Sequence, residues 1–237
     1  MSHVARTLLA SRGEPVRLII YDCDGVLIDS EPIANRIVAE DLTAIGWTIS
    51  AEECDRRFLG LSYHTLAEMA EEHLGRHVPD GWLDRLLTRV SAVLAIESIM
   101  VPGALEALAA TEAFGLGWCV GSNSSQQEMA AKFGCTGMLQ RVHGRLYSGH
   151  DIVARGGCAK PAPDLFLAAA AAMGIAPSAC LVIEDSPTGA QAARDADMTC
   201  LGLARFGQAG SLAMMRAAPF ASMHDLPDLL RLAIAPR

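Results

Sequence analysis

Asp22 and Asp24 stand in the run DCDG, directly after the apolar stretch 16–21 (VRLIIY). A carboxylate at the end of a buried strand has a fixed backbone beneath it, so it can keep its aim at an electrophile. A second carboxylate two residues on can serve the same pocket as proton donor and acceptor. Gly25 lets the chain turn sharply after them. Three more groups carry matching chemistry. The run GSNSS (121–125) offers the Ser122 hydroxyl and the Asn123 amide, a cradle for phosphoryl oxygens. Lys160 opens KPAPD (160–164) and supplies a cation just before a helical stretch. Glu184 and Asp185 are adjacent acids after the apolar run LVI, costly at a buried strand end unless something positive meets them. A hard, oxygen-seeking cation such as Mg²⁺ answers that need. Taken singly, each signal has a plain structural explanation: an Asp-Gly turn, two helix N-caps, a solvated lysine. Taken together they form a kit for phosphoryl transfer through an aspartyl-phosphate.

These groups need elements to bring them to one edge. Four short apolar runs without strict alternation read as parallel strands covered on both faces: 16–21, 117–121 (GWCVG), 179–183 (ACLVI) and 199–204 (TCLGLA). Alanine-rich helical stretches lie between the later runs, at 164–173 before Gly174 and at 188–196 after Pro187. Strands alternating with helices predict an α/β domain with a parallel sheet. In such sheets ligands bind beyond the carboxyl ends of the strands, where all four signals fall. The stretch from Pro32 to Ile99 differs. Ile33, Ile37, Val38, Leu42 and Ile45 recur at helical spacing, as do Leu66, Met69, Ala70 and Leu74, and then Leu83, Leu86, Leu87, Val90 and Leu94. No strand signal interrupts them. The expected organisation is a core of 1–31 and 100–237 with an all-helical insert of 32–99; Val101-Pro102-Gly103 turns the chain back into the core.

Composition narrows the function class. The net charge is −8, which argues against a nucleic-acid partner, since phosphate backbones need a basic face. A small phosphorylated metabolite remains open, because a few local cations can hold one phosphate. No apolar run approaches membrane length, and residues 1–15 are polar and mixed, so the expected location is cytoplasmic. The seven cysteines are scattered, odd in number and without a CxxC pair, which predicts reduced and mostly buried thiols. Cys23 lies between the two aspartates, but strand alternation turns it away from them into packing. The seven histidines show no metal spacing; His73 and His77 predict one exposed helix face. A monomer is the default expectation.

The segments DCDGVL, GSNSS, KPAPDLF and IEDSPTGA, in that order, resemble the four motifs of the haloacid dehalogenase superfamily. The resemblance covers the whole chain and is nearest to the subgroup of β-phosphoglucomutases and small sugar-phosphate phosphatases. It implies a Rossmann-like core, with the insert as a small α-helical cap. It implies Asp22 as nucleophile and metal ligand, and Asp24 as general acid/base with its backbone carbonyl on the metal. It gives Ser122 and the Asn123 amide to the phosphoryl oxygens, Lys160 to phosphate and nucleophile, and Asp185 to Mg²⁺ with Glu184 in or near the metal shell. A residue of the type of Asp24 separates phosphatases and mutases from dehalogenases and P-type ATPases. For a mutase, the resemblance leads one to expect a histidine where Ala34 stands and an arginine where Tyr63 follows Gly60-Leu61-Ser62. Both departures favour a phosphatase acting on a sugar phosphate or related acid phosphate over a phosphomutase. A receiver-like signalling module, which also phosphorylates an aspartate, has no use for Asp24, the Ser122 cradle or so large an insert.

Overall fold

The computed structural model describes residues 3–10, 13–58, 61 and 63–234. Six parallel strands form one sheet: β1 (Leu18–Tyr21), β2 (Gly117–Ser122), β3 (Leu146–Ser148), β4 (Cys180–Glu184), β5 (Thr199–Leu203) and β6 (Ala218–Phe220). Their order is β3-β2-β1-β4-β5-β6. The chain winds outward from β1 in one direction, then in the other, so the order reverses between β1 and β4.

Thirteen α-helices are described. In chain order they are α1 (His3–Ala10), α2 (Glu31–Ala44), α3 (Ala51–Phe58), α4 (Tyr63–Leu74), α5 (Trp82–Glu97), α6 (Ala104–Ala113) and α7 (Gln126–Cys135). Then come α8 (Leu139–Val142), α9 (Gly149–Ala154), α10 (Asp164–Ala172), α11 (Pro187–Asp195), α12 (Ala209–Met214) and α13 (Leu226–Ile234). The strands are buried on both faces, and their side chains alternate between two cores. Ile19, Tyr21, Trp118, Val120, Leu181, Ile183 and Leu201 join the core under α1, α6, α7 and α13. Leu18, Ile20, Cys119, Cys180, Val182 and Cys200 join the core under α10, α11 and α12. This is why the strands read as continuous apolar runs.

Helices α2 to α5 bury a separate apolar cluster that includes Ile37, Leu42, Trp47, Phe58, Trp82, Leu86 and Leu94. The chain leaves and re-enters the core side by side: Asp29 N–H donates to Ile99 O, and Val101 N–H donates to Leu27 O, both at 2.9 Å. Asp29 also makes a two-pronged ion pair with Arg205 after β5, at 2.9 and 3.0 Å.

Several expectations shift. The edge strands β3 and β6 go unseen in the sequence because each has three residues, and β6 contains Pro219, which only an edge accepts. Helix α3, AEECDRRF, was hidden by its charges; only Cys54 and Phe58 are buried. Residues 3–10 form an amphipathic helix that docks on α13 and β6 through Ala5 and Leu9, where the sequence reads as merely polar. His73 and His77 do not share a helix: α4 ends at Leu74, and His73 stacks on Trp47 with ring centroids 4.3 Å apart. Gly60 and Ser62 lie outside the described residues. Among those residues no helix is long and apolar enough to cross a membrane. None of the seven cysteines forms a disulfide; five are buried, Cys23 among them, and Cys135 and Cys158 are exposed.

Candidate active site

β1 lies between β2 and β4, and the registers set Tyr21 level with Val120 and with Ile183. One residue further along, the three strand ends therefore present Asp22, Gly121-Ser122 and Glu184 at one height. Asp22 N–H still donates to Ile183 O at 2.9 Å, so the backbone under its side chain remains part of the sheet.

Lys160 ties the carboxylates together. Its Nζ is 2.8 Å from Asp22 Oδ1 and 2.7 Å from Glu184 Oε1, with all three side chains buried. Its own backbone is clamped by Asn123: Asn123 Nδ2 donates to Lys160 O at 3.1 Å, and Lys160 N–H donates to Asn123 Oδ1 at 3.0 Å. The Asn123 side-chain amide thus positions the lysine loop. Burial alone would lower the Lys160 ammonium, but the Asp22 and Glu184 carboxylates outweigh that and raise it, so it stays charged.

Glu184 is held by four protein donors. Oε1 accepts from Lys160, and Oε2 accepts from Asp185 N–H at 3.1 Å, Ser186 N–H at 3.1 Å and Ser186 Oγ at 2.9 Å. Helix α11 closes over it through Gly189, where a Cβ would lie 1.7 Å from Glu184 Oε1. Gly25 has φ +75°, and a Cβ there would fall 1.9 Å from Asp185 Oδ2. The DG turn is therefore needed twice, for its left-handed backbone and for room beside Asp185.

Asp22, Glu184 and Asp185 each offer a carboxylate oxygen, all within 4.8 Å of one another. Burial, then the Glu184 charge, pushes the Asp22 carboxyl up to about 7 despite Lys160. Burial, Glu184 and Asp22 raise Asp185 well above the carboxylate range. One lysine does not balance two buried acids and the partly buried Asp185. The surplus negative charge and hard oxygen donors fit Mg²⁺. Glu184 Oε2 is taken by three protein donors, whereas its Oε1, like Asp22 Oδ1, accepts from Lys160 and keeps a second lone pair.

The Asp24 carboxylate points elsewhere. Both its oxygens lie 2.8 Å from Lys132 Nζ, and Ser124 Oγ lies 3.2 Å from Oδ2. Ser122 is buried beside it, its Oγ accepting from Ser124 N–H at 3.2 Å. Lys132 has no motif around it. The signal that could have found it is a charge on an apolar stripe: Met129, Lys132 and Phe133 are the buried residues of α7. The Asp29–Arg205 pair left no trace that sequence reading could use, since 176 residues separate its members.

The profile of the haloacid dehalogenase-like hydrolases matches residues 16–197. The chain belongs to this family. It is similar to 6-phosphogluconate phosphatase of Escherichia coli (strain K12), 28% identical over 226 residues, with 90% of this chain and 94% of the relative covered. It is also similar to hexitol phosphatase B of the same strain, 28% identical over 182 residues, covering 76% of this chain and 79% of that protein. Among solved structures, a haloacid dehalogenase family hydrolase from Deinococcus radiodurans, with bound phosphate and sodium, superimposes with a TM-score of 0.80 at 30% identity, covering 94% and 99% of the two chains. As a haloacid dehalogenase-like hydrolase, the protein is an enzyme on an α/β core whose sheet edge carries the acids and Lys160.

Proposed function

We propose that this hydrolase is a Mg²⁺-dependent phosphatase that cleaves a small phosphomonoester, a sugar phosphate or a related acid phosphate, through an aspartyl-phosphate on Asp22. The observation that carries the reading is the Asp22–Lys160–Glu184 triad at the end of the central strand, with Asp185 alongside. The phosphatase names of the two relatives support the substrate class.

In this reading the ester's phosphoryl group lies against Ser122 Oγ, the Asn123 backbone amide and Lys160 Nζ. An Asp22 oxygen attacks phosphorus, and the bond to the leaving oxygen breaks. Asp24 gives that oxygen a proton, so a neutral alcohol departs. Asp24 then takes a proton from a water that attacks the aspartyl-phosphate, releasing inorganic phosphate and restoring Asp22. Lys160 lowers the repulsion between the Asp22 carboxylate and the phosphate dianion in a site that excludes most water. Asp22 and Asp185, with the Asp24 backbone carbonyl, would hold Mg²⁺, and Glu184 would sit behind them orienting Lys160 and the 185–186 turn. When bound, the ion supplies charge neutralisation at the phosphoryl oxygens. Residues 32–99 are the cap that meets the leaving group, and Tyr63 is one of its residues that feels the Asp24 charge. Burial, then the Asp24 carboxylate, raises the Tyr63 phenol, so it meets the site as a neutral donor.

The test is phosphate release from a panel of hexitol phosphates, 6-phosphogluconate and β-glucose 1-phosphate, with Mg²⁺. Wild type is expected to release inorganic phosphate from at least one, and Asp22→Asn to lose about 10⁴-fold or more while remaining folded. Rapid conversion of β-glucose 1-phosphate to glucose 6-phosphate with little free phosphate would replace hydrolysis with mutase chemistry.

A further inference from the structure

A general acid/base must be aimed as well as present. The Asp24 side chain turns about two torsions, and proton transfer tolerates only small errors in direction. What holds Asp24 is a closed ring of contacts. Lys132 Nζ lies 2.8 Å from Asp24 Oδ1, 2.8 Å from Oδ2 and 3.3 Å from Ser124 Oγ, and Ser124 Oγ lies 3.2 Å from Oδ2. An ammonium has three N–H donors, and these contacts use all three.

The ring has a back and a front. The Lys132 side chain is 7% exposed and the Asp24 side chain 32%, so the cation sits behind and the carboxylate keeps an open face. Lys132 cannot swing away. Met129 and Phe133 flank it in the core, and the Ser125–Glu128 capping box pins the start of α7. The cap covers the outer flank, where α5 packs on α7 and Ser91 Oγ donates to Glu128 Oε1 at 3.0 Å. The helix that carries the phosphate-binding turn at its start therefore carries the support for the proton-transfer group two turns on.

We infer that Lys132 is a positioning residue for Asp24, which together with Ser124 aims its carboxyl group, in the protonated form that the attacking water regenerates each turnover, at the leaving oxygen. The inference rests on the phosphatase reading above. The competing account is that Asp24 merely neutralises a lysine buried for structural reasons. The two accounts differ in how the loss of Lys132 should depend on the leaving group. An alkyl phosphate needs its departing oxygen protonated. A p-nitrophenyl phosphate does not, because nitrophenolate leaves as a stable anion. Both need Asp22 and Lys160 intact.

The experiment measures kcat/KM of wild type, Lys132→Met and Lys132→Arg on the best alkyl phosphate of the panel and on p-nitrophenyl phosphate, with Mg²⁺ present. For Lys132→Met the alkyl phosphate is expected to fall about 100-fold, the usual worth of general acid catalysis, and the aryl phosphate less than about 10-fold. The loss should lie in kcat, with KM for the alkyl phosphate little changed. Lys132→Arg keeps the charge but replaces a compact ammonium with a planar fork, so the alkyl-to-aryl ratio should recover only in part. Activity on the aryl phosphate doubles as the check on folding. Should Lys132→Met fail to fold, the Lys132→Arg ratio decides alone, and a ratio equal to that of wild type overturns the inference. Equal losses on both substrates, or none, also overturn it. Wild type inactive on both substrates would instead remove the phosphatase reading.

Discussion

Glu31, the first residue of α2, buries one carboxyl oxygen, Oε2, that has no hydrogen-bond partner. Burial, and then the nearby Asp55 charge, pushes this carboxyl from 4.5 up to about 7, with Arg205 pulling the other way. An acid raised in the folded state is held there in its neutral form. Its contribution to stability is complete below about pH 4.5 and is lost as pH rises through about 7. Glu31→Gln mimics the neutral form at every pH. It is expected to match wild type at pH 4.5 and to exceed it by about 1–3 kcal/mol at pH 8, a discounted conversion of the shift because Glu31 is not fully enclosed. Urea unfolding of both proteins at the two pH values measures this. A variant no more stable than wild type at pH 8 would show that Glu31 charges freely.

At the scale of the element, α11 shows how close a helix must come for the site to exist. Replacing a helical glycine by alanine ordinarily adds about 1 kcal/mol of stability. At Gly189 the new Cβ would meet Glu184 Oε1 at 1.7 Å, and Glu184 is fully enclosed and bonded to Lys160. Overpacking of this kind costs about 1–3 kcal/mol, so the sign should reverse. Displacing Glu184 also displaces Lys160, and an error of 1 Å in such a group costs about 100-fold in rate. Gly189→Ala should therefore be less stable and slower. Gly134→Ala in α7, where nothing lies within 4 Å of the added carbon, should be neutral or stabilising. Denaturation midpoints and kcat for the pair separate clash from propensity. A stabilised, fully active Gly189→Ala would disprove the close approach.

At the scale of the whole molecule, the core's sheet edge concentrates acids that repel one another in a buried setting, and Lys160 offsets only part of that charge. A ligand that binds only the folded form should therefore act on global stability. With Mg²⁺ at a hundred times its dissociation constant, the expected gain is about 2.7 kcal/mol, read as a rise in melting temperature that needs no substrate. Asp185→Asn should abolish the rise. Without Mg²⁺ it should melt no lower than wild type, because it relieves the crowding of the Asp22, Glu184 and Asp185 carboxyl groups. A melting temperature of wild type that ignores Mg²⁺ but rises equally with any salt would point to general screening and away from a site.

The parts of this protein settled by local chemistry were legible along the chain. Two cores sandwich the sheet, so β1, β2, β4 and β5 had to be continuous apolar runs, and each candidate site residue lies at the end of one of them or shortly before a helix. Asp22, Asp24, Ser122, Lys160, Glu184 and Asp185 announce themselves because charge and hydroxyl beside buried strands need a reason. The helical spacing of residues 33–94 likewise marks a body that packs on itself, apart from the charged α3. Other features depend on who meets whom. β3 and β6 are too short to carry a pattern and exist as strands only because a neighbour supplies the hydrogen bonds. Helix α1 is amphipathic only with respect to α13 and β6. Glu184 and Asp185 are neighbours of one type, yet the fold surrounds Glu184 with four donors and leaves Asp185 partly exposed beside it. Lys132 looks like any solvated lysine until α7 turns it inward onto Asp24, 108 residues earlier. Residue type and strand-end position are local properties and survive in a linear string. Charge compensation and aim arise from distances across the fold, and only the folded chain sets those.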